Sequence, residues 1–158
     1  MQARGLNDLA RRFRLLASDG AVDTAALKKR ITAAGFPPSV FFGHLLPHAF
    51  DGGALSKVVV LRCEPKVLRE RLRVRGYPPE RVVENLEAEL IGVVSAEAYR
   101  TFGTGKTFEF DTTSTGPDKA AGSVLAILRG EARPRRRIDW TGGYDSGAKL
   151  RSLVSSDM

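Results

Sequence analysis

The sequence Lys57-Val-Val-Val-Leu-Arg62, followed by Cys63-Glu-Pro65, decides the fold. Its β-branched run is too short for a helix of that composition and is bounded by Lys57 and Pro65, so it predicts a buried parallel strand. Arg62 stands at the carboxyl end of this strand. Because open α/β sheets bind ligands in the crevice outside the carboxyl ends of their strands, that end is a candidate ligand site.

A basic helix is predicted immediately after the strand, since Pro65 suits a first helical turn and Gly76 a helix end. The basic side chains of this stretch are Arg62, Lys66, Arg69, Arg71, Arg73 and Arg75. Guanidinium groups match phosphate oxygens and could neutralise charge in phosphoryl transfer, although a solvated helix face also explains most of them. We select Arg71 and Arg75, which are four residues apart and flank the Gly76-Tyr77 turn.

Outward from this stretch, helices and strands alternate along the chain. The pattern predicts helices over 6–16 and 24–33, a strand over 39–43, a turn or short helix at 44–48, one long helix from 78 to about 102, a strand over 107–111 and a helix over 118–128. This order predicts an α/β domain with a parallel sheet over residues 1–130. Residues 131–158 are basic and glycine-rich and predict a mostly flexible tail that docks at Trp140.

Composition excludes several classes of protein. The chain has 158 residues, a single cysteine and a net charge of +7. One cysteine allows no internal disulfide and no thiolate cluster for zinc, and no run is long enough to cross a membrane. We therefore expect a single cytoplasmic domain without a signal peptide. The excess positive charge favours nucleotides, RNA or ribosomes as partners, with simple solubility as the alternative.

Two short motifs look like a phosphate-binding loop and a metal site but lack the context that each requires. Gly103-Thr-Gly-Lys-Thr107 looks like the end of a Walker A loop, but a helix is predicted before it and a strand after it, the reverse of the P-loop order. An ordinary glycine turn explains it better. His44 and His48 have the spacing of two metal ligands on a helix, but Pro47 and the lack of a third ligand predict no metal site. His44 alone, just beyond a predicted strand end, remains a candidate polar group for the ligand site.

The sequence resembles a known family, the atypical adenylate kinases of archaea and the eukaryotic nucleus, which are described both as kinases and as ribosome-assembly ATPases. The resemblance runs from about Asn7 to Trp140. Its segments are 58–62, the arginine-rich 67–77, Glu84-Asn85 with Glu87 and Glu89, Gly43-His44-Leu-Leu-Pro47, Phe110-Asp-Thr112 and Ile138-Asp-Trp140. The resemblance implies a P-loop nucleoside monophosphate kinase fold of three layers, with ATP and magnesium as cofactors, and either phosphate transfer from ATP to AMP or ATP hydrolysis during small ribosomal subunit maturation.

The resemblance also assigns roles to residues. It implies that about 62–80 form a lid over ATP, with Arg62, Arg71, Arg75 and Tyr77 binding nucleotide, and that Arg71, Arg75 and His44 serve catalysis. It places 6–31 in the monophosphate-binding segment. Two departures stand out: the chain begins after the family's first strand and Gly-rich P-loop, and Phe42 stands where the family has a magnesium-organising aspartate.

The fold class expected from this resemblance is therefore an incomplete P-loop kinase-like sheet without its central first strand. The strands at 40–42 and 58–61 would then pair directly, accept a strand from a partner through their open edges, or belong to a longer protein. Three functional hypotheses follow: an active kinase with a further upstream segment, a subunit completed by a partner chain, or a non-catalytic module. The non-catalytic module would bind ribosomal RNA or a small-subunit protein through the arginines of the lid and through the tail residues Arg133, Arg135, Arg136, Arg137 and Trp140.

Overall fold

The computed structural model describes residues 2–132 and 137–144. The chain divides into two compact units, Met1–Ser56 and Lys57–Met158. Each unit contains one pair of parallel strands together with helices. The predicted α/β class is therefore confirmed, and no described helix is both long and apolar enough to cross a membrane.

The first unit is built on two short strands joined by two helices. Its elements are β1 (Gln2–Gly5), α1 (Leu6–Arg12), α2 (Thr24–Ala34), β2 (Ser39–Phe42) and α3 (Leu46–Ala49). Strands β1 and β2 pair in parallel, with Gln2 opposite Ser39 and Gly5 opposite Phe42. The core of this unit contains Leu6, Leu9, Leu27, Ile31, Ala49 and Phe50.

Helix α2 begins and ends as the sequence predicts. The Asp23 carboxylate accepts a hydrogen bond from the Ala26 amide at 2.9 Å, and Gly35 ends the helix in the left-handed conformation with a φ of 55°. The prediction for α1 was too long, because the helix ends at Arg12 rather than at 16. Arg14 then adopts a φ of 56°, which no continuing helix allows.

The second unit carries the stretch that decides the fold. Its elements are β3 (Val58–Arg62), α4 (Pro65–Val74), α5 (Pro79–Ile91), α6 (Val93–Phe102), β4 (Thr107–Asp111), α7 (Pro117–Arg129) and a 3-10 turn over Thr141–Gly143. Strands β3 and β4 pair in parallel, with Val58 opposite Thr107 and Arg62 opposite Asp111. Lys57 secures the end of α7 by donating from Nζ to the Ile127 carbonyl oxygen at 3.1 Å.

The long helix predicted from 78 to 102 is wrong, because it is two helices separated at Gly92. Gly92 has a φ of 70°, and a Cβ at this position would lie 3.5 Å from an Arg62 guanidinium nitrogen. The break therefore gives the buried arginine a close approach to the backbone. It also places Val93 and Val94 at the surface.

The strand pairing also differs from one expectation. Direct pairing of the strands at 40–42 and 58–61 is not observed, since β2 pairs with β1 and β3 with β4. The sequence did not predict β1 as a strand. In β3 the side chains alternate, so that Val58, Val60 and Arg62 are buried while Leu61 is 57% exposed. The strand is therefore only half-buried, not buried on both faces.

Candidate functional site

The Arg62 side chain lies inside the second unit. Only 3% of it is exposed. Its Nε donates to Glu89 Oε1 at 2.7 Å, and one terminal nitrogen donates to the Glu89 carbonyl oxygen at 2.7 Å. The other terminal nitrogen reaches Ser95 Oγ at 3.2 Å, Glu109 Oε2 at 3.3 Å and the Ile138 carbonyl oxygen at 3.1 Å. Protein acceptors thus surround the guanidinium, as burial of a charge requires.

The two carboxylates beside Arg62 also hold the segment near the C-terminus. Glu89 Oε1 accepts from the Trp140 indole nitrogen at 2.8 Å and from the Cys63 amide at 3.1 Å. Glu109 Oε2 accepts from the Ile138 amide at 2.5 Å. Alternation along the paired strands places Glu109 and Arg62 on the same buried face. The strand end expected to meet a ligand is therefore closed by the protein's own groups.

Arg71 lies on α4 and bridges to the loop after β4. One terminal nitrogen donates to the Thr112 and Thr113 carbonyl oxygens at 2.8 and 3.0 Å. The other lies 3.3 Å from both Thr112 Oγ1 and Cys63 Sγ. The Cys63 thiol is buried, and burial raises its pKa, with the Arg71 charge partly opposing that effect. Arg71 therefore joins α4 to the polar loop that follows β4.

Arg75 and Tyr77 are exposed at the tip of the hairpin formed by α4 and α5 (residues 65–91). Tyr77 is 45% exposed and Arg75 is also exposed. The Arg75 guanidinium forms no hydrogen bond or ion pair with any residue that the structure describes. Gly76 turns the chain between them with a φ of 73°. Arg75 is thus exposed, whereas Arg71 is engaged.

The first unit holds the remaining predicted site residues. His44 is exposed and follows β2 after Gly43, whose φ is 140°. Phe42 ends β2 and is 54% exposed. Within residues 2–132 and 137–144, no group of three or more His, Cys, Asp or Glu side chains could hold a metal ion. Phe42, at the end of β2, offers no oxygen ligand to a metal ion.

The glycine motif 103–107 connects a helix to a strand, and the described part of the tail is docked. Gly103 ends α6 and Thr107 begins β4, so the motif lies between a helix and a strand as predicted. Trp140 is docked on Glu89, and the Arg137 guanidinium lies 5.8 Å from the centre of the Tyr99 ring. Arg133, Arg135 and Arg136 lie outside the described residues.

Sequence reasoning missed the residues that hold this region together. Tyr144 is buried in a cluster with Leu72, Val82 and Leu86, and its hydroxyl donates to Glu64 Oε1. Burial and this hydrogen bond raise the pKa of Tyr144 to about 12. The local signal was weak, because Tyr144 stands in a glycine-rich stretch that predicts a flexible segment. The only hint in the sequence that position 144 also docks is that Tyr144 is an isolated aromatic residue shortly after Trp140.

The parallel strands and their flanking helices are consistent with a P-loop kinase-like α/β fold. The chain is 41% identical over 137 residues to a protein of Archaeoglobus fulgidus described as "Putative adenylate kinase", and the alignment covers 87% of this chain and 71% of that protein. It therefore belongs to the adenylate kinase-like family of these archaeal proteins.

Two further archaeal relatives carry the same description. The protein of Halobacterium salinarum is 39% identical over 97 residues, which are 61% of this chain and 56% of that relative. The protein of Methanothermobacter thermautotrophicus is 42% identical over 88 residues, covering 55% of this chain and 51% of the relative. The chain thus spans about half the length of these two proteins. No family model matches the chain.

Proposed function

We propose that this chain is an adenylate kinase-like protein that binds nucleotide phosphates with its α4–α5 hairpin. The observation that carries the proposal is the 41% identity over 137 residues to the Archaeoglobus relative. An alignment of that length necessarily includes the central residues 65–91. The family reaction would be ATP plus AMP giving two ADP, with magnesium as the metal in the complete proteins.

The hairpin supports different roles for its two selected arginines. Arg75 is exposed at the tip without a partner among the described residues, so it is the group proposed to meet a phosphate. Arg71 is held by the Thr112 and Thr113 carbonyl oxygens and would position the hairpin instead. Tyr77, beside Arg75, offers a ring on which a base could stack. Arg62 is enclosed by protein acceptors and would act through the fold.

We propose further that phosphoryl transfer does not proceed with the described residues alone. Phosphoryl transfer needs a phosphate cradle and a bound metal to stabilise the developing charge. Phe42 supplies no oxygen ligand, and His44 beside it is not a preferred ligand of Mg²⁺. The chain would therefore be inactive unless residues beyond the described ones supply ligands for the phosphates and the metal.

The test measures binding and turnover separately. Calorimetric titration of the full chain with ATP should show salt-sensitive binding that Arg75→Ala weakens by about tenfold. Arg81→Ala is the matched control, because Arg81 is also exposed on the hairpin but pairs with Glu84 at 2.9 Å. A coupled assay with ATP, AMP and magnesium should stay at background. Unchanged ATP affinity in Arg75→Ala would contradict the role of the hairpin, and turnover abolished by His44→Ala would contradict inactivity.

A non-catalytic RNA-binding module is the second candidate. The net charge of +7 and the basic sequence Arg133-Pro-Arg-Arg-Arg137 favour it. Its affinity for ribosomal RNA should fall steeply with salt, because binding releases counterions from the phosphates. Substituting Arg133, Arg135 and Arg136 together by serine should make the plot of log affinity against log salt concentration less steep, by the amount that about three lost phosphate contacts would produce. An unchanged slope would remove the tail from the proposal.

A further inference from the structure

The segment 137–144, which we call the strap, crosses the second unit and contacts several of its elements. Ile138 bonds through its backbone to Glu109 of β4 and Arg62 of β3. Trp140 bonds to Glu89 of α5, and Tyr144 to Glu64 at the start of α4. The strap therefore links the β3–β4 sheet to both helices of the hairpin.

The last residue of the strap is part of the hairpin's own core. Tyr144 is buried against Leu72 of α4 and against Val82 and Leu86 of α5, with Leu68 and Leu90 packed around them. These helices are joined only by the short Arg75–Pro78 turn, and the hydrophobic cluster between them is completed by the tyrosine ring. Removal of the ring would leave the facing sides of α4 and α5 without part of their packing.

A second link holds the hairpin independently of the strap. Arg71 connects α4 to the Thr112 and Thr113 carbonyl oxygens, and the Glu64 amide donates to Thr113 Oγ1 at 2.8 Å. These bonds lie near the start and middle of α4. The strap adds contacts at α5 and between the helices. Loss of the strap would therefore free part of the hairpin, while the first turn of α4 stays attached to the loop after β4.

We propose that the strap is a releasable restraint that sets how far the α4–α5 hairpin can move from the β3–β4 sheet. Of its eight residues only Tyr144 is buried, while Ile138 and Trp140 are half-buried and the others are exposed. Segments with few buried apolar contacts open at a free energy well below that of global unfolding. The strap can therefore detach while the sheet remains folded. The strap would restrain the hairpin in the same way whether the hairpin binds nucleotide, RNA or neither.

The only tryptophan of the chain lies in the strap, so its fluorescence reports docking directly. Tyr144→Phe removes the hydroxyl bond to Glu64 and keeps the ring, while Tyr144→Ala removes both. We expect the Trp140 emission to shift to longer wavelength and its acrylamide quenching to rise, weakly in Tyr144→Phe and strongly in Tyr144→Ala. Should Tyr144→Ala not fold, the milder variant still provides the comparison.

Amide hydrogen exchange then tests whether detachment releases the hairpin. Exchange over 68–91 should rise by about tenfold or more in the variant with the detached strap, while β3 and β4 keep their protection. Ile127→Ala is the control, because Ile127 is buried on α7, which belongs neither to the strap nor to the hairpin, so its loss should destabilise the unit without removing a strap contact. A detached strap with unchanged exchange over 68–91, or a rise equal to that of β3 and β4, would overturn the proposal. Unchanged Trp140 emission in both variants would also overturn it.

Discussion

Arg62 Nε and Trp140 Nε1 donate to the same oxygen, Glu89 Oε1, at 2.7 and 2.8 Å. One carboxylate thus neutralises a buried arginine and docks a residue 51 positions away in sequence. Glu89 lies one turn before the Gly92 break, where the chain leaves room for the guanidinium. The buried charge, the helix break and the docked segment are therefore parts of one arrangement.

Removal of the Glu89 charge should destabilise the second unit strongly. Glu89→Ala leaves Arg62 buried without its main ionic partner, and breaking such a pair costs about 3–5 kcal/mol. Urea unfolding followed by far-UV circular dichroism measures the loss of stability. Glu84→Ala is the control, since Glu84 pairs with Arg81 at the surface and should change stability by about 1 kcal/mol or less. Equal effects of the two substitutions would contradict the interior role of Glu89.

A side chain at Gly92 should destabilise the second unit through the backbone conformation. Gly92→Ala forces an L-residue into a φ of 70°, whereas its Cβ would meet Arg62 only at an ordinary contact distance of 3.5 Å, so we expect a loss of about 1–2 kcal/mol from the backbone alone. Gly122→Ala, within α7 and with open space around it, should instead stabilise by about 0.5–1 kcal/mol. Thermal unfolding of both variants gives opposite shifts if the backbone conformation at Gly92 is the cause. A neutral Gly92→Ala would argue against the break.

Tyr144 should make stability depend on pH in the alkaline range. Its pKa is raised to about 12 by burial and by the bond to Glu64, so the folded protein keeps the proton that the unfolded chain loses first. The stabilising contribution is complete below the ordinary tyrosine pKa of about 10 and is lost as pH rises toward 12. The free energy of unfolding measured between pH 8 and 11 should fall less in Tyr144→Phe than in the wild type. Tyr77→Phe controls for loss of a phenol elsewhere.

Cys63 should react slowly with alkylating reagents. The thiol is buried and its pKa is raised, so both access and the thiolate fraction are low. Iodoacetamide labelling at pH 8, followed by intact mass, should be slower than in urea-unfolded chain by about a hundredfold or more. Since Cys63 is the only cysteine, one mass increment reports the result. Labelling as fast as in the unfolded chain would show that the segment between β3 and α4 is open in solution.

The sequence predicted most elements of the fold because their signals are local. The β-branched run of β3, the alternation in β4 and the Asp23 and Gly35 termini of α2 each lie within a few neighbouring residues. Strand β1 could not be predicted, since Gln2-Ala-Arg-Gly has no strand composition and becomes a strand by pairing with β2, 37 positions along in the register. The Gly92 break was missed because the helical pattern continues on both sides of it.

The site was harder to predict, because its contacts are distant in sequence. An arginine at a strand end is typical of a ligand site, and nothing near Arg62 indicates that Glu89 and Glu109, 27 and 47 positions later, enclose it. Arg71 and Arg75 have the same spacing and chemistry in the sequence. Only the position of the Thr112 and Thr113 carbonyls separates the engaged arginine from the available one.

The Glu64 carboxylate holds two separate segments of the chain. Its Oε2 accepts from the Val67 amide at 3.1 Å and starts α4, while its Oε1 accepts from the Tyr144 hydroxyl. A substitution at 64 therefore alters the start of a helix and the attachment of a segment eighty positions away together. Among homologous sequences, we expect positions 64 and 144 to covary, with a hydroxyl-bearing aromatic retained wherever the glutamate is retained.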